Sequence, residues 1–298
     1  MEYRSRLKRR KRKNTGGGGR AVLAVLMIAG LVYLAASSKA GDWVAQNVMA
    51  PIFTAFERAP DGDEPSAVQA GDGEAEAVAV SLSGGLSSDT VTVTLPSVNC
   101  YMLQMGVYSV ESNADSQAET LKAAGAGGFV LNDSGQYRVL AAGYPDEGSA
   151  ATVKARLISE GMDTTVYSIS TPSATFRVTA AKEEVGAVAS AFTALYSAHG
   201  ALTELAMGFD AADADVDKAS ASIKSIYDAL IADTAILDEY SGKSEAFARI
   251  ALCRDAFSSA MSGLIDKTGQ SVVDFSSGLK YTQLYITNEY VGLMSSFA

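Results

Sequence analysis

Side chains that commonly perform catalysis or bind metals are scarce in this sequence. It holds one histidine, His199, and two cysteines, Cys100 and Cys253, which lie far apart along the chain. A zinc site of the usual kind needs three or four His/Cys ligands, and only His199 could serve as the base of a Ser or Cys nucleophile. We therefore expect a protein that is not an enzyme and that uses no metal and no cofactor.

One acidic cluster imitates a calcium site. Asp213, Asp215 and Asp217 begin like a calcium-binding loop. Such a loop needs Gly at its sixth position and Glu at its twelfth, where this chain has Lys218 and Lys224. We interpret the aspartates as caps and charge partners of a helix N-terminus.

Two further features also have structural interpretations. His199 and Cys253 each lie in an apolar helical stretch. We interpret His199 as a packed or boundary residue and Cys253 as a small side chain of the core. The run GAGG at 125–128 follows a helical segment, and no helix begins after it. It therefore lacks the context of a phosphate-binding loop.

The N-terminal residues indicate a membrane anchor. The 298-residue chain has a net charge of −10, but residues 1–20 hold nine basic residues and one acidic residue, so they carry +8 and the rest carries −18. Residues 21–38 contain no charge. A helix of about 18 residues is about 27 Å long, close to the thickness of the hydrocarbon core of a membrane.

These features predict a basic tail at 1–20 and a transmembrane helix at 21–38 in the cytoplasmic membrane. The positive-inside rule keeps the tail in the cytoplasm and places the C-terminal part of the chain outside. A cleaved signal peptide is the alternative. A basic tail can also bind nucleic acid, but beside a membrane span topology and anionic lipid explain it more simply, so we expect no nucleic-acid partner.

Residues 39–96 are predicted to be an extracytoplasmic linker. The stretch 57–75 is rich in Asp, Glu, Gly, Pro and Ala and has almost no large apolar residue with which to build a core. Two alternating runs follow, at 75–82 and 90–95. We predict that they form a short β-hairpin or an edge pair.

The segment 101–125 recurs at 137–161. At an offset of 36 residues, six of 25 positions are identical: Tyr101/Tyr137, Tyr108/Tyr144, Glu111/Glu147, Ala114/Ala150, Leu121/Leu157 and Gly125/Gly161. Each copy reads as a strand, a turn, a helix that stops at Gly, and a short strand. The order β-α-β-β-α-β is typical of a ferredoxin-like sandwich, in which two helices cover one sheet face and leave the other open to solvent.

Three motifs in this segment carry a family resemblance. LQMGVYS stands at 103–109, Asn-Ala at 113–114 and YRV at 137–139. In order and spacing they resemble the SPOR domain, a bacterial peptidoglycan-binding module, over 97–171. The resemblance implies binding to glycan strands stripped of stem peptides and enrichment at the division or sporulation septum. The second copy departs from the family pattern, because it has Leu140 and Ala142 where a second Q-x-G element is common.

Strand alternation selects candidate site residues on the open face. On the first strand it places Gln104, Gly106 and Tyr108 outward and residues 103, 105 and 107 toward the helices. On the third strand it places Arg138 and Leu140 outward and residues 137 and 139 toward the helices.

Gln104 and Arg138 could then donate hydrogen bonds to sugar hydroxyl and acetamido groups, while Tyr108 could stack on a sugar ring. Tyr144 is either a second stacking residue or a cap on the core. The candidate glycan-binding residues are therefore Gln104, Tyr108, Arg138, Leu140 and Tyr144. The alternative is that these positions form an ordinary solvated sheet face.

Residues 178–298 are predicted to form an antiparallel bundle of four amphipathic helices. Apolar residues recur there at heptad-like spacing, with breaks at 210–215, 241–242 and 268–269. About 120 residues suffice for a core of their own. A protein partner could bind this bundle.

The sequence as a whole predicts an α+β, single-pass membrane protein that binds peptidoglycan without catalysis and is thereby targeted to the septum. Residues 97–170 carry four basic and eight acidic side chains, which disfavours a polyanionic ligand. The alternative is an extracytoplasmic interaction scaffold, in which the bundle recruits a division or sporulation partner and the SPOR-like domain no longer binds glycan.

Overall fold

A computed structural model of the chain describes residues 77–82, 88–209, 215–265 and 270–297. The predicted basic tail, the transmembrane helix at 21–38 and the linker up to residue 76 lie outside the described residues. What the structure describes is a mixed α+β assembly with two sheets and a set of helices.

The first sheet has the topology that the repeat predicts. Its elements are β3 (Asn99–Tyr108), α1 (Glu111–Ala123), β4 (Phe129–Asp133), β5 (Gln136–Tyr144), α2 (Glu147–Ser159) and β6 (Thr165–Ser170). The antiparallel strands lie in the order β4-β5-β3-β6. The predicted β-α-β-β-α-β order is therefore confirmed.

The two copies also end their helices in the same way. Gly125 and Gly161 both adopt φ +82°, a conformation that side chains disfavour and glycine accepts. After α1 the Ala126 N–H donates to the Leu121 carbonyl at 3.0 Å, and after α2 the Met162 N–H donates to the Leu157 carbonyl at 3.0 Å. This shared C-terminal turn explains why the glycines recur at the repeat spacing.

Both helices pack on one face of the first sheet. Small residues let α1 and α2 approach closely, and larger aliphatic side chains fill the space between them and the strands. The buried residues of this helix-side core are Leu103, Ala114, Ala118, Leu121, Ala126, Val139, Ala141, Tyr144, Ala150, Val153 and Leu157.

The second sheet differs from the prediction. β1 (Val78–Ser81) and β2 (Ser88–Leu95) are present, but each pairs with β7 (Ala174–Ala181), β1 in parallel and β2 antiparallel. The expected hairpin or edge pair between the two runs is therefore wrong. β7 is the central strand, because both of its edges are hydrogen-bonded, and its alternate residues Phe176, Val178 and Ala180 are buried on one face.

The helical bundle begins later than the predicted residue 178, because residues 178–181 belong to β7. The four predicted helices are present with the predicted breaks between their ends, and a short additional helix lies before the second break. The bundle comprises α3 (Val185–Phe209), α4 (Val216–Asp233), the short α5 (Leu237–Tyr240), α6 (Glu245–Ile265) and α7 (Val272–Ser295). Its core continues into the second sheet, where Phe176 packs against Phe192 with ring centroids 4.8 Å apart. Asp215 caps α4 by accepting from the Lys218 N–H, as predicted, while Asp213 lies outside the described residues.

Among the described residues, α3 is the one helix long and apolar enough to cross a membrane. Its apolar side chains pack in the bundle core, which accounts for that composition. His199 on α3 is buried, as predicted, and its Nε2 lies 3.0 Å from the Thr287 Oγ1. Burial lowers the pKa of His199 to about 4.

Both cysteines are buried free thiols, so the core role predicted for Cys253 is confirmed. Burial raises the pKa of the Cys100 thiol to about 12 and also raises the pKa of the Cys253 thiol. Neither is therefore a thiolate nucleophile near neutral pH.

The last helix covers part of the first sheet's outer face, the face opposite α1 and α2. Leu284 of α7 is fully buried in one cluster with Cys100, Met102, Phe129 and Leu140. The expectation that this face is wholly open to solvent is therefore wrong. The physical reason is that its apolar part, which would otherwise be exposed, is buried against a helix from another part of the chain.

Two glycines allow α7 to approach the sheet. A Cβ on Gly127 would lie 2.9 Å from the Leu284 Cδ1 and 3.1 Å from the Ala141 carbonyl oxygen. A Cβ on Gly143 would lie 2.9 Å from the Gln283 amide atoms. The Lys280 ammonium, itself buried, donates to the Gly125 carbonyl at 3.1 Å, so polar contacts also hold this interface.

Candidate functional site

A bulge in β3 decides which side chains face outward. The pairing of β3 with β5 shifts register between Met102 and Gln104 and again between Gln104 and Gly106. An extra residue in a strand reverses the alternation of side chains beyond it. Gln104 therefore faces outward, whereas farther along the strand it is Val107, 40% exposed, that does so.

The bulge turns Tyr108 away from Gln104. Tyr108 lies opposite Tyr137 and packs against the helix-side core. Gly106 is on the same side, because a Cβ there would lie 2.8 Å from a ring carbon of Tyr108. The predicted outward placement of Gly106 and Tyr108 is therefore wrong, and Val107 does not face the helices.

Arg138 is at the centre of a polar network on the part of the outer face that α7 leaves open. Its side chain is 20% exposed. The Nε–H donates to Asp133 Oδ2 at 2.9 Å, and Nη1 donates to Gln104 Oε1 at 2.8 Å. The guanidinium carbon lies 4.6 Å from the centroid of the Tyr167 ring, within the range of a cation–π contact.

The network crosses all four strands. Gln104 Nε2 donates to Thr165 Oγ1 at 2.9 Å, and the Tyr167 hydroxyl donates to Asp133 Oδ2 at 3.4 Å. β3 contributes Gln104, β4 Asp133, β5 Arg138, and β6 both Thr165 and Tyr167. We call these five residues the outer-face network.

The outer-face network has a net charge close to zero. The hydrogen bond from Arg138 is the main cause that lowers the pKa of Asp133, so this carboxylate stays ionised and balances the guanidinium. Burial, followed by the charge of Asp133, raises the pKa of Tyr167, so the phenol stays protonated. A surface with paired charges, amide groups, hydroxyls and one aromatic ring suits a polar ligand of low charge.

The structure brings together two of the five predicted site residues, Gln104 and Arg138. Tyr108 lies on the opposite side of the sheet. Leu140 does face outward, but it is fully buried beneath α7. Tyr144 is 2% exposed in the helix-side core, which decides between its two predicted roles in favour of a cap on the core.

Sequence reasoning missed Asp133, Thr165 and Tyr167. Alternation within β6 would have grouped Thr165, Tyr167 and Ile169 on one face. Only the register of β6 against β3, in which Gln104 lies opposite Thr165, shows that this face is the one that carries Gln104.

No group of three or more His, Cys, Asp or Glu side chains able to hold a metal occurs within 77–82, 88–209, 215–265 and 270–297. A groove of about 810 Å³ lies elsewhere, between α1, α6 and α7. Small side chains such as Ala256, Ala260 and Gly278 line much of it. The outer-face network is partly exposed and spreads across four strands, an arrangement that suits a polymer lying on a surface.

Comparison with known proteins identifies the first sheet and its helices. Residues 99–168 match the family model described as SPOR domain, so the chain contains a SPOR domain, as the motifs predicted. No curated protein matches the chain significantly. One solved structure that it resembles is the peptidoglycan binding domain of the B. subtilis cell wall lytic enzyme CwlC, with 32% identity over 24% of this chain and 90% of that chain and a TM-score of 0.22.

Proposed function

We propose that this chain, through its SPOR domain, binds the glycan strands of peptidoglycan on the outer-face network and has no catalytic role of its own. The observation that carries the proposal is the Gln104–Arg138–Asp133 arrangement on the open part of a sheet that matches the SPOR family. The network's chemistry favours a polar ligand of low charge, and the resemblance to the SPOR family implies that this ligand is glycan stripped of stem peptides.

Hydrogen-bonding capacity supports this ligand. A guanidinium has five N–H donors, and the network uses the Nε–H and an Nη1–H of Arg138. Sugar hydroxyls and acetamido carbonyls are neutral acceptors that such a donor can bind. Tyr167 and the exposed Val107 add the apolar surface against which a sugar ring can pack.

Charge supports it as well. The only arginine in the outer-face network is already paired with Asp133 at 2.9 Å, and the SPOR segment as a whole carries more acidic than basic side chains. Polyanions need clustered Lys and Arg whose charge is not already neutralised. A glycan of low charge therefore fits better than a nucleic acid.

We further propose that residues 21–38 anchor the protein in the cytoplasmic membrane, with its N-terminus in the cytoplasm and its SPOR domain facing the cell wall at the division or sporulation septum. The uncharged stretch, the basic tail before it and the acidic linker after it support this topology.

The test is binding of the purified full chain, in mild detergent, to amidase-treated peptidoglycan. Arg138→Ala should weaken binding by about tenfold or more, since a lost hydrogen bond to a charged group costs about 1.5–3 kcal/mol. Gln104→Ala should weaken binding by about two- to tenfold, since a lost neutral hydrogen bond costs about 0.5–1.5 kcal/mol. The matched control is Arg177→Ala, which removes an exposed arginine from the second sheet. Absence of binding, or equal binding by all four proteins, would refute the proposal.

One observation favours the scaffold alternative. The bundle covers Leu140 and its neighbours, so part of the sheet's outer face is used for packing inside the chain. A fluorescent fusion of the full chain separates the two functions. Loss of septal enrichment in Gln104→Ala/Arg138→Ala supports glycan targeting, whereas unchanged enrichment supports recruitment through the bundle.

A further inference from the structure

Strand β2 forms an outer edge of the second sheet. It pairs with β7 in eight consecutive residue pairs, from Ser88–Ala181 to Leu95–Ala174. Within the described part of the chain, no strand pairs with its other edge. The Thr90 N–H donates to the Asp89 Oδ1 at 2.8 Å. The other backbone groups that point away from β7 have no strand partner among the described residues and can pair with a further strand.

β2 lacks the features that usually prevent edge strands from pairing. Native edges are commonly short, bulged, or interrupted by Lys or Pro. β2 is eight residues long, reads SDTVTVTL, keeps continuous register with β7, and has its one charged residue, Asp89, near its start. The opposite edge of the same sheet, β1, is only four residues long.

The sequence of β2 is symmetrical about Thr92. Residues 90–94 read Thr-Val-Thr-Val-Thr in both directions. If two copies pair antiparallel with Thr92 opposite Thr92, then Thr90 lies opposite Thr94 and Val91 opposite Val93. Every residue of this stretch meets its own type, and such Thr–Thr and β-branched pairs stabilise a sheet.

The two faces of the strand also match in this register. Thr90, Thr92 and Thr94 are exposed, whereas Val93 is buried and Val91 is half-buried. Residues directly opposite one another share a face, so the valines of both copies continue the apolar side. Pairing would cover Val91, which one copy alone leaves half-buried.

Charge does not oppose this pairing. Asp89 of one copy would lie opposite Leu95 of the other. The two Asp89 carboxylates would then be six residues apart along the strands, roughly 20 Å. That exceeds the Debye length of about 8–10 Å at physiological ionic strength, so their repulsion is largely screened.

We infer that β2 is a dimerisation edge, at which a second copy of this chain pairs antiparallel about Thr92 to form a continuous six-stranded sheet. The inference does not depend on glycan binding. We expect a second copy as the partner of β2, because the order of threonine and valine on this unprotected edge is complementary to itself.

Disulfide trapping in the full chain tests the inference and its register. Under mild oxidation Thr92→Cys should give a covalent dimer, because directly opposed Cα atoms lie about 4.5–5.5 Å apart, within the range of a disulfide. Thr94→Cys is the matched control, since its counterpart would lie about 14 Å away. Mixing Thr90→Cys with Thr94→Cys should restore the crosslink. The native cysteines are buried.

Substitutions of opposite charge at Thr92 give a second test, which does not depend on a covalent bond. Thr92→Lys should give a monomer, since two lysines would meet at the two-fold axis, and so should Thr92→Glu. Mixing the two variants should restore the dimer, as measured by its mass in solution. A monomeric wild-type chain at micromolar concentration, equal crosslinking of Thr92→Cys and Thr94→Cys, or a dimer that Thr92→Lys leaves intact would each overturn the inference.

Discussion

Leu284 of α7 and Leu140 of β5 lie in one buried cluster, and both are closed to solvent. Leu284 comes from the last helix of the bundle, whereas Leu140 lies two residues from Arg138 on the strand at the centre of the outer-face network. The bundle therefore packs directly beside the candidate glycan site. The stability of that packing and the geometry of the site are linked through β5.

Replacing Leu284 should destabilise the fold. Leu284→Ala should lower the free energy of unfolding by about 2–5 kcal/mol, because it leaves a cavity in a well-packed cluster. Urea unfolding of the full chain measures the change. Leu252→Ala, at a position 70% exposed on α6, is the matched control and should change the free energy by less than about 0.5 kcal/mol. Equal effects would contradict the docking of α7 on the sheet.

The ring of Tyr167 should contribute more to glycan binding than its hydroxyl. Tyr167→Ala removes the ring against which a sugar can pack and the cation–π contact that positions Arg138, so it should weaken binding by about 0.5–2 kcal/mol, the size of the positioning contact that is lost. Tyr167→Phe keeps the ring and loses only the 3.4 Å hydrogen bond to Asp133, so it should retain most of the affinity. Calorimetry with soluble denuded glycan compares the two. Equal losses in both variants would argue against a role for the ring.

Two glycines should respond to alanine in opposite directions. Gly127→Ala should destabilise the fold by about 1–3 kcal/mol, since its Cβ would lie 2.9 Å from Leu284 and 3.1 Å from a backbone oxygen. Gly200→Ala, within α3, has nothing within 4 Å and should stabilise the fold by about 0.5–1 kcal/mol through helix propensity. Thermal unfolding of both variants shows whether each substitution raises or lowers stability. Destabilisation of similar size in both would contradict the close contacts at Gly127 and the open space at Gly200.

His199 should make stability fall in mild acid. Its pKa is lowered from 6.5 to about 4 by burial, so the unfolded chain binds the proton more tightly than the folded chain. Neutral His199 therefore makes its full contribution to the free energy of unfolding above about pH 6.5. This contribution, up to roughly 3 kcal/mol, is lost as the pH falls toward 4. Urea midpoints measured between pH 7 and pH 4.5 should fall more steeply for wild type than for His199→Gln. Parallel profiles would show that His199 is not buried as a neutral side chain.

Some of the architecture could be predicted because it depends on nearby residues. The repeat at an offset of 36 residues, with its helices ending at Gly125 and Gly161, is a local pattern of strand, turn and helix stop. The structure reproduces it with the same φ angle at both glycines. Gln104 and Arg138 also follow from such patterns, since each lies on a strand that the motifs LQMGVYS and YRV locate.

Other features depend on residues far apart in the chain. The bulge that turns Tyr108 to the helix side arises from pairing between β3 and β5. β2 pairs with β7, whose residues lie 79 to 93 positions later in the chain, and not with β1. Alternation alone gives the period of a strand but not its partner or its register, which long-range contacts choose.

By itself, the sequence determined the order of elements in the SPOR domain, its resemblance to the SPOR family, the approximate extent of the long bundle helices and the scarcity of His and Cys side chains, since these follow from residue type and local spacing. Only the tertiary structure decided that Leu140 lies beneath α7 and that Asp133, Thr165 and Tyr167 join Gln104 and Arg138. The physical reason is that buried apolar area and hydrogen-bond partners are shared between distant segments, so the surface left open to a ligand depends on which segments pack together.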